Sequence, residues 1–256
     1  MMQAQTSMDE TTDRLERTAM LLGAVPALVV LAVLVWVQPI VVVVVALAVG
    51  AGAVVWVRSR IRSAPARVVA GLDTSALRPG EHPRLENLLE GLCATSGVAA
   101  PTVSLVRSNH MNAMVAAGRD DAEIVLSTAM LEHLGRLELE GVLANLLGRV
   151  RDGSARYATT VLGLLGSSPR ARRLLAAELG DQRSVMSDLA AVDLTRYPPG
   201  LVSALSVMSE RGTRLDAAPE LGRSLWLAPV GDVPADADLV GELQPLSLRI
   251  AVLSEL

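Results

Sequence analysis

Two positions four residues apart within Leu139-Glu140-Gly141-Val142-Leu143-Ala144-Asn145-Leu146-Leu147-Gly148-Arg149-Val150 stand where hydrolytic chemistry could be mounted. On a helix Asn145 and Arg149 share one face, so a histidine at each would grip a single metal ion. A glutamate at Leu146 would then draw a proton from a metal-bound water. The chain carries none of these three groups. Arginine has no lone pair to donate and stays protonated, so Arg149 repels a divalent cation. Leu146 accepts no proton, so a metal held by other residues would still lack its base.

Other side chains do not supply a substitute. His82, His110 and His133 are scattered, with no pair at the helical i, i+4 spacing of a metal site. His133 beside Leu131 and Leu134 reads as a surface or capping residue, and His82 before Pro83 as structural. His110, in a predicted loop, has no second ligand near it in sequence. Ser127, Ser154 and Ser184 lack a Gly-x-Ser-x-Gly elbow, and Cys93 falls on an apolar helix stripe where a buried, inert thiol is expected. Gly163-Leu164-Leu165-Gly166-Ser167 lacks the lysine of a phosphate-binding loop.

The elements that would position these residues can be read from periodicity. Leu139, Val142, Leu143, Leu146, Leu147 and Val150 form the apolar stripe of a helix from Glu138 to Arg151. A helix starting at His82-Pro83 carries Leu85, Leu88, Leu89, Leu92 and Cys93. Thr102 to Arg107, Ala113 to Ala117 and Glu123 to Leu126 read as a small sheet, with Gly118-Arg119-Asp120-Asp121 turning a hairpin. Ser127 or Thr128 would cap the next helix. Val161 to Leu165 is too short to cross a membrane and reads as a buried helix end. Further helices are expected over Arg183 to Thr195, from Leu201 through Met208 and over Ser247 to Leu256, with an acidic loop from Pro229 to Asp238. Ala64 to Gly80 reads as a connector.

A hydrophobic fraction of 51% and a mean hydropathy of +0.41 are too high for an ordinary soluble chain of 256 residues. No charge occurs from Thr18 to Val57, long enough for two spans of about 20 residues. Gln38-Pro39 divides the run into Ala19–Val37 and Ile40–Val57, a helical hairpin. Pro26 predicts a kink in the first span, and Trp36 and Trp56 suit the interface. Ala46, Ala48, Gly50 and Gly52 offer small surfaces for close approach. Arg14 and Arg17 precede the hairpin and Arg58, Arg60, Arg62 and Arg67 follow it, so the positive-inside rule places both ends in the cytoplasm, at the inner (plasma) membrane. A cleaved signal peptide is the competing reading, and it lacks a polar mature start and a cleavage pattern. One cysteine excludes an internal disulfide, in keeping with a reducing compartment. A net charge of −4 with no lysine argues against nucleic acid as a partner.

Four stretches, in order behind a hairpin, resemble the HtpX-like branch of membrane-bound zinc metallopeptidases. They are Asn112-Ala113 through Gly118, Leu137 through Ala144, Asp188 through Thr195-Arg196-Tyr197-Pro198-Pro199-Gly200, and Leu225-Trp226-Leu227-Ala228-Pro229. Gln244-Pro245-Leu246-Ser247-Leu248-Arg249-Ile250 is similar to that family's closing His-Pro-Pro-Leu and Arg-Ile, with Leu243 at the histidine position. The resemblance implies an α+β fold: a transmembrane helical hairpin followed by a mainly helical, zincin-type domain with a small sheet. On this chain that gives a cytoplasmic segment 1–18, a hairpin 19–57, a connector 58–80 and a metallopeptidase-like domain 81–256.

The resemblance also implies a zinc held by two histidines and a downstream glutamate, with a further glutamate as base. By position the ligands fall on Asn145, Arg149 and Ser184, the base on Leu146, and all four differ. Asp188 matches the aspartate that steadies a zinc-binding histidine from behind. The sequence therefore predicts a degenerate relative with no cofactor, in which Arg149 either reaches Asp188, joined by Asn145, or points to solvent. Its expected role is binding or regulation, with a membrane protein or an active protease relative as partner and strand addition along a sheet edge as one mode. The alternatives are an active zinc endopeptidase using unconventional ligands and a structural subunit assembled through the hairpin.

Overall fold

The computed structural model describes residues 2–34, 39–180, 182–215, 220–230 and 243–256. Gln38 of the expected turn, Trp36, and all but the first residues of the loop expected over Pro229 to Asp238 lie outside them. The apolar run forms α1 (Met2–Gly23), α2 (Val25–Leu34) and α3 (Pro39–Arg62). The stretches Glu10–Ala32 and Ile40–Arg62 are each 23 residues, about 34 Å at 1.5 Å per residue, against a hydrocarbon layer of about 30 Å. Leu21, Leu47 and Val55 are 71%, 69% and 66% exposed. Such side chains suit lipid and no other common solvent.

The helical ladder breaks at Ala24, two residues before Pro26, whose nitrogen has no hydrogen to give. Tighter three-residue bonds, Ala24 N to Leu21 O and Ala27 N to Ala24 O, span the break. Of the small residues expected between the spans, Gly50 faces Ala27, while Gly52 has open space around it. The first helix also begins well ahead of the apolar run. Its charged part lies on α8 (Ser154–Leu165), where Arg156 Nη2 donates to Asp13 Oδ1 at 2.9 Å and to Glu16 Oε1 at 3.1 Å.

The expected connector is not a plain linker. It holds α4 (Ala64–Val69), which buries Ala64, Pro65, Val68 and Val69, and a three-residue strand, β1 (Thr74–Ala76). After α5 (Pro83–Ser96) come β2 (Thr102–Val106), β3 (Ala113–Ala117) and β4 (Ala122–Ser127). The sheet order is β1-β2-β4-β3, with β2 parallel to β4 and the other pairs antiparallel. Both faces are covered, so β3 is buried along its whole length. Ala113, Val115 and Ala117 enter one core cluster, and Met114 and Ala116 the other.

The remaining helices are α6 (Thr128–His133), α7 (Arg136–Arg151), α8 (Ser154–Leu165), α9 (Pro169–Leu179), α10 (Arg183–Thr195), α11 (Pro198–Arg211) and α12 (Leu246–Leu253). A 3₁₀ turn, Glu220–Leu225, precedes the segment Trp226–Ala228. The central helix is α7, packed against α5, α10 and α11. It approaches α11 so closely that a Cβ on Gly141 would lie 2.9 Å from the backbone nitrogen of Leu201.

Candidate functional site

Helices α7 and α10 bring the sequence-predicted positions together. Asn145 and Arg149 from α7 and Ser184 from α10 line one cavity of about 230 Å³, together with Arg183, Trp226 and Arg249. Leu146 is not part of it: it is fully buried in the main core cluster, on the apolar face of α7. Leu243 also lines the cavity.

Asp188 sits behind the cavity with no exposed surface, and its partner is not Arg149. Arg249 from α12 takes that place, with Nε donating to Asp188 Oδ2 at 2.7 Å and Nη2 to Oδ1 at 2.7 Å. Nη1 of the same guanidinium donates to the carbonyl of Leu227. Asn145 Nδ2 donates to Asp188 Oδ1 at 2.8 Å, so the carboxylate receives three charge-matched or amide donors. The expected Arg149 to Asp188 contact is thus replaced by Arg249, because a two-pronged fork from α12 fits both carboxylate oxygens at once. Asn145 joins as expected.

Arg149 does not point to solvent either. It is 8% exposed, and Nη1 donates to the carbonyl of Leu225 at 2.8 Å. Burial, then the positive charge of Arg183, lower its pKa to about 10. It remains a cation at neutral pH.

The segment Leu225–Ala228 is held in place by Asn112. Its Nδ2 donates to the carbonyls of Thr213 and Ala228 at 3.0 Å each, and its Oδ1 accepts from the nitrogens of Ala113 and Ala228 at 2.9 and 3.2 Å. The side chain therefore fills its hydrogen-bonding capacity without water. Leu227 N donates to Ala113 O at 2.6 Å, and Trp226 bridges Met114. At the other end of β3, Ala117 N donates to Thr159 Oγ1 at 3.1 Å. Both ends of that outer edge are occupied, so β3 does not offer the open strand that strand addition needs.

The donor set does not suit the zinc that the resemblance implies. A zinc site takes thiolate, imidazole or carboxylate ligands. The cavity offers guanidinium, hydroxyl and amide groups and a single carboxylate, Asp152, while Asp188 behind it already takes three donors. Among the described residues, no group of three His, Cys, Asp or Glu side chains could hold a metal ion. His82 sits at the N-cap position of α5 without a side-chain cap bond, and His133 Nε2 lies 3.1 Å from Arg211 Nη1 at the surface. Cys93 is free and buried, with its pKa raised by burial. The residue that sequence reasoning passed over is Arg249; the closing Arg-Ile was its signal.

No family model matches the chain. A "Protease HtpX homolog" of Dictyoglomus turgidum is 26% identical over 208 residues, covering 66% of this chain and 68% of the relative. Proteins of the same name from Tropheryma whipplei (27% over 186 residues, 58% and 64%) and Dictyoglomus thermophilum (31% over 185 residues, 57% and 61%) are similar to it as well. The chain is similar to the HtpX-like proteases. It spans about two thirds of the length of these curated relatives. The mostly helical fold with its small mixed sheet, and two apolar helices long enough to cross a membrane, fit an HtpX-like membrane protein.

Proposed function

We propose that this HtpX-like protein is a pseudopeptidase: a membrane-anchored binding or regulatory protein that neither holds a catalytic zinc nor cuts peptides. The observation that carries the reading is the buried cation Arg149, lining the cavity beside Asn145 and Ser184. Three family ligand positions meet in one place and supply no zinc ligand, while Leu146 at the base position faces the core. Zinc there would have to sit among arginine guanidiniums in a site of low dielectric, where repulsion is large.

Arg249 and Asp188 keep the former ligand helices and α12 joined, so the scaffold persists without its metal. In this reading both ends of the hairpin face the cytoplasm, and the partner is a membrane protein or an active protease relative that receives it. Purified full-length protein incubated with an unfolded casein substrate should show no cleavage that a chelator abolishes. Chelator-sensitive cleavage, lost in a variant of this chain, would return the protein to the active endopeptidases.

A further inference from the structure

We infer that the cavity between α7, α10 and α12 recognises the free C-terminal carboxylate of an apolar peptide, an inference that rests on the metal-free reading above. Polar atoms that fit such an end are left without partners inside the protein. Ser184 is 5% exposed and lines the cavity, and its Oγ has no hydrogen-bond partner. Trp226 lines it too, and its indole Nε1 is buried with no acceptor. Natural proteins seldom leave such groups unpaired unless a ligand or water completes them. Arg149 adds a guanidinium, the group best matched to a carboxylate's two oxygens.

One unpaired acceptor separates a peptide end from a simple anion. Asn145 is 1% exposed, and with its nitrogen committed to Asp188 its Oδ1 has no donor. The last residue of a peptide carries both a carboxylate and, beside it, a backbone N–H that can donate to this oxygen. Inorganic phosphate has no such N–H. The wall also includes Ala158, Leu179, Met186, Leu227 and Leu243, which would receive an apolar last side chain. At about 230 Å³ the space is smaller than the roughly 300–1,000 Å³ of sites for drug-sized ligands, as suits a single terminal residue.

The test uses the full-length protein in detergent micelles and a fluorescent peptide with apolar final residues. Three forms are compared by anisotropy: free acid, C-terminal amide, and amide with an internal glutamate. Inorganic phosphate serves as competitor, and zinc is measured in the same samples. The free acid should bind at least tenfold tighter than both amides. R149M should erase that preference, S184A should weaken free-acid binding severalfold, and phosphate should compete poorly. Thermal melts show whether each variant is folded; if R149M is not, S184A decides.

Equal binding of acid and amide, a preference for the internal glutamate, or displacement by phosphate without any preference for the acid would each overturn the inference. So would an undiminished preference in folded R149M. With zinc absent, any of these results removes the inference alone. Stoichiometric zinc in the same samples would instead remove the metal-free reading, and the inference with it.

Discussion

Arg249 is 1% exposed, a position in which a cation survives only if it is paired and fully hydrogen-bonded. Asp188 and the Leu227 carbonyl meet that condition. Removing one partner of such a pair leaves an uncompensated charge, so Arg249→Met should lower stability by about 3–5 kcal/mol. Replacing both residues with leucine should cost much less than the single change, a non-additivity that a double-mutant cycle of thermal melts would read. Arg149 is a contrasting case. Its pKa, lowered by burial to about 10, means that the unfolded chain holds this proton more tightly than the folded one. Burying charged Arg149 therefore costs stability at neutral pH, and the cost fades as pH rises above about 10 toward the ordinary arginine range. At about 1.4 kcal/mol per pKa unit this slightly exceeds the roughly 1–3 kcal/mol lost by orphaning the Leu225 carbonyl. Arg149→Met should accordingly raise the melting temperature in the absence of ligand; a lower one would show that the Leu225 bond dominates. Helical spacing and the resemblance both pointed to Asn145 and Arg149, and the resemblance alone pointed to Ser184 and Asp188. The direction of Arg149 was not legible in the sequence, because a long arginine can satisfy itself on a backbone carbonyl that only the folded chain brings near.

Helix α7 sets the geometry of the cavity, and its closeness to α11 depends on a residue without a side chain. Elsewhere in a helix, alanine for glycine gains up to about 1 kcal/mol. At Gly141 the new Cβ would meet backbone at 2.9 Å, which cannot yield as a flexible side chain can. Gly141→Ala should therefore destabilise by about 1–3 kcal/mol, read as a lower melting temperature. Strong periodicity made α5, α7 and α10 readable, and α10 runs over Arg183–Thr195 as the sequence indicated. Three elements were missed. β1 has three residues and owes its form to pairing with β2, and α4 has six, both too short for a periodic signal. α9 was hidden by its arginines, although Ser168 accepts from Ala171 N and Pro169 opens the helix, a usual start signal. The closed edge of β3 was invisible in sequence because Trp226 and Leu227 lie more than a hundred residues away from it.

At the level of the molecule, the hairpin and the cytoplasm-facing reading of its ends can be checked together. The first helix leaves the apolar run as a charged arm, and Arg156 ties it to α8 through Asp13 and Glu16. If both ends lie in the cytoplasm, cysteine-reactive, membrane-impermeant labels should reach engineered cysteines at Arg14 and Glu255 only after the membrane is opened; labelling of one end in intact cells would contradict that topology. The central claim, that the HtpX-like scaffold has lost its metal centre at Asn145, Arg149 and Ser184, is tested most directly by zinc content. Mass spectrometry on detergent-purified protein should find well under one zinc per chain in the parent, and close to one in the folded N145H/R149H/S184E variant, where the cavity regains two imidazoles and a carboxylate. A parent chain already holding one zinc, or a folded variant that takes up none, would contradict the account.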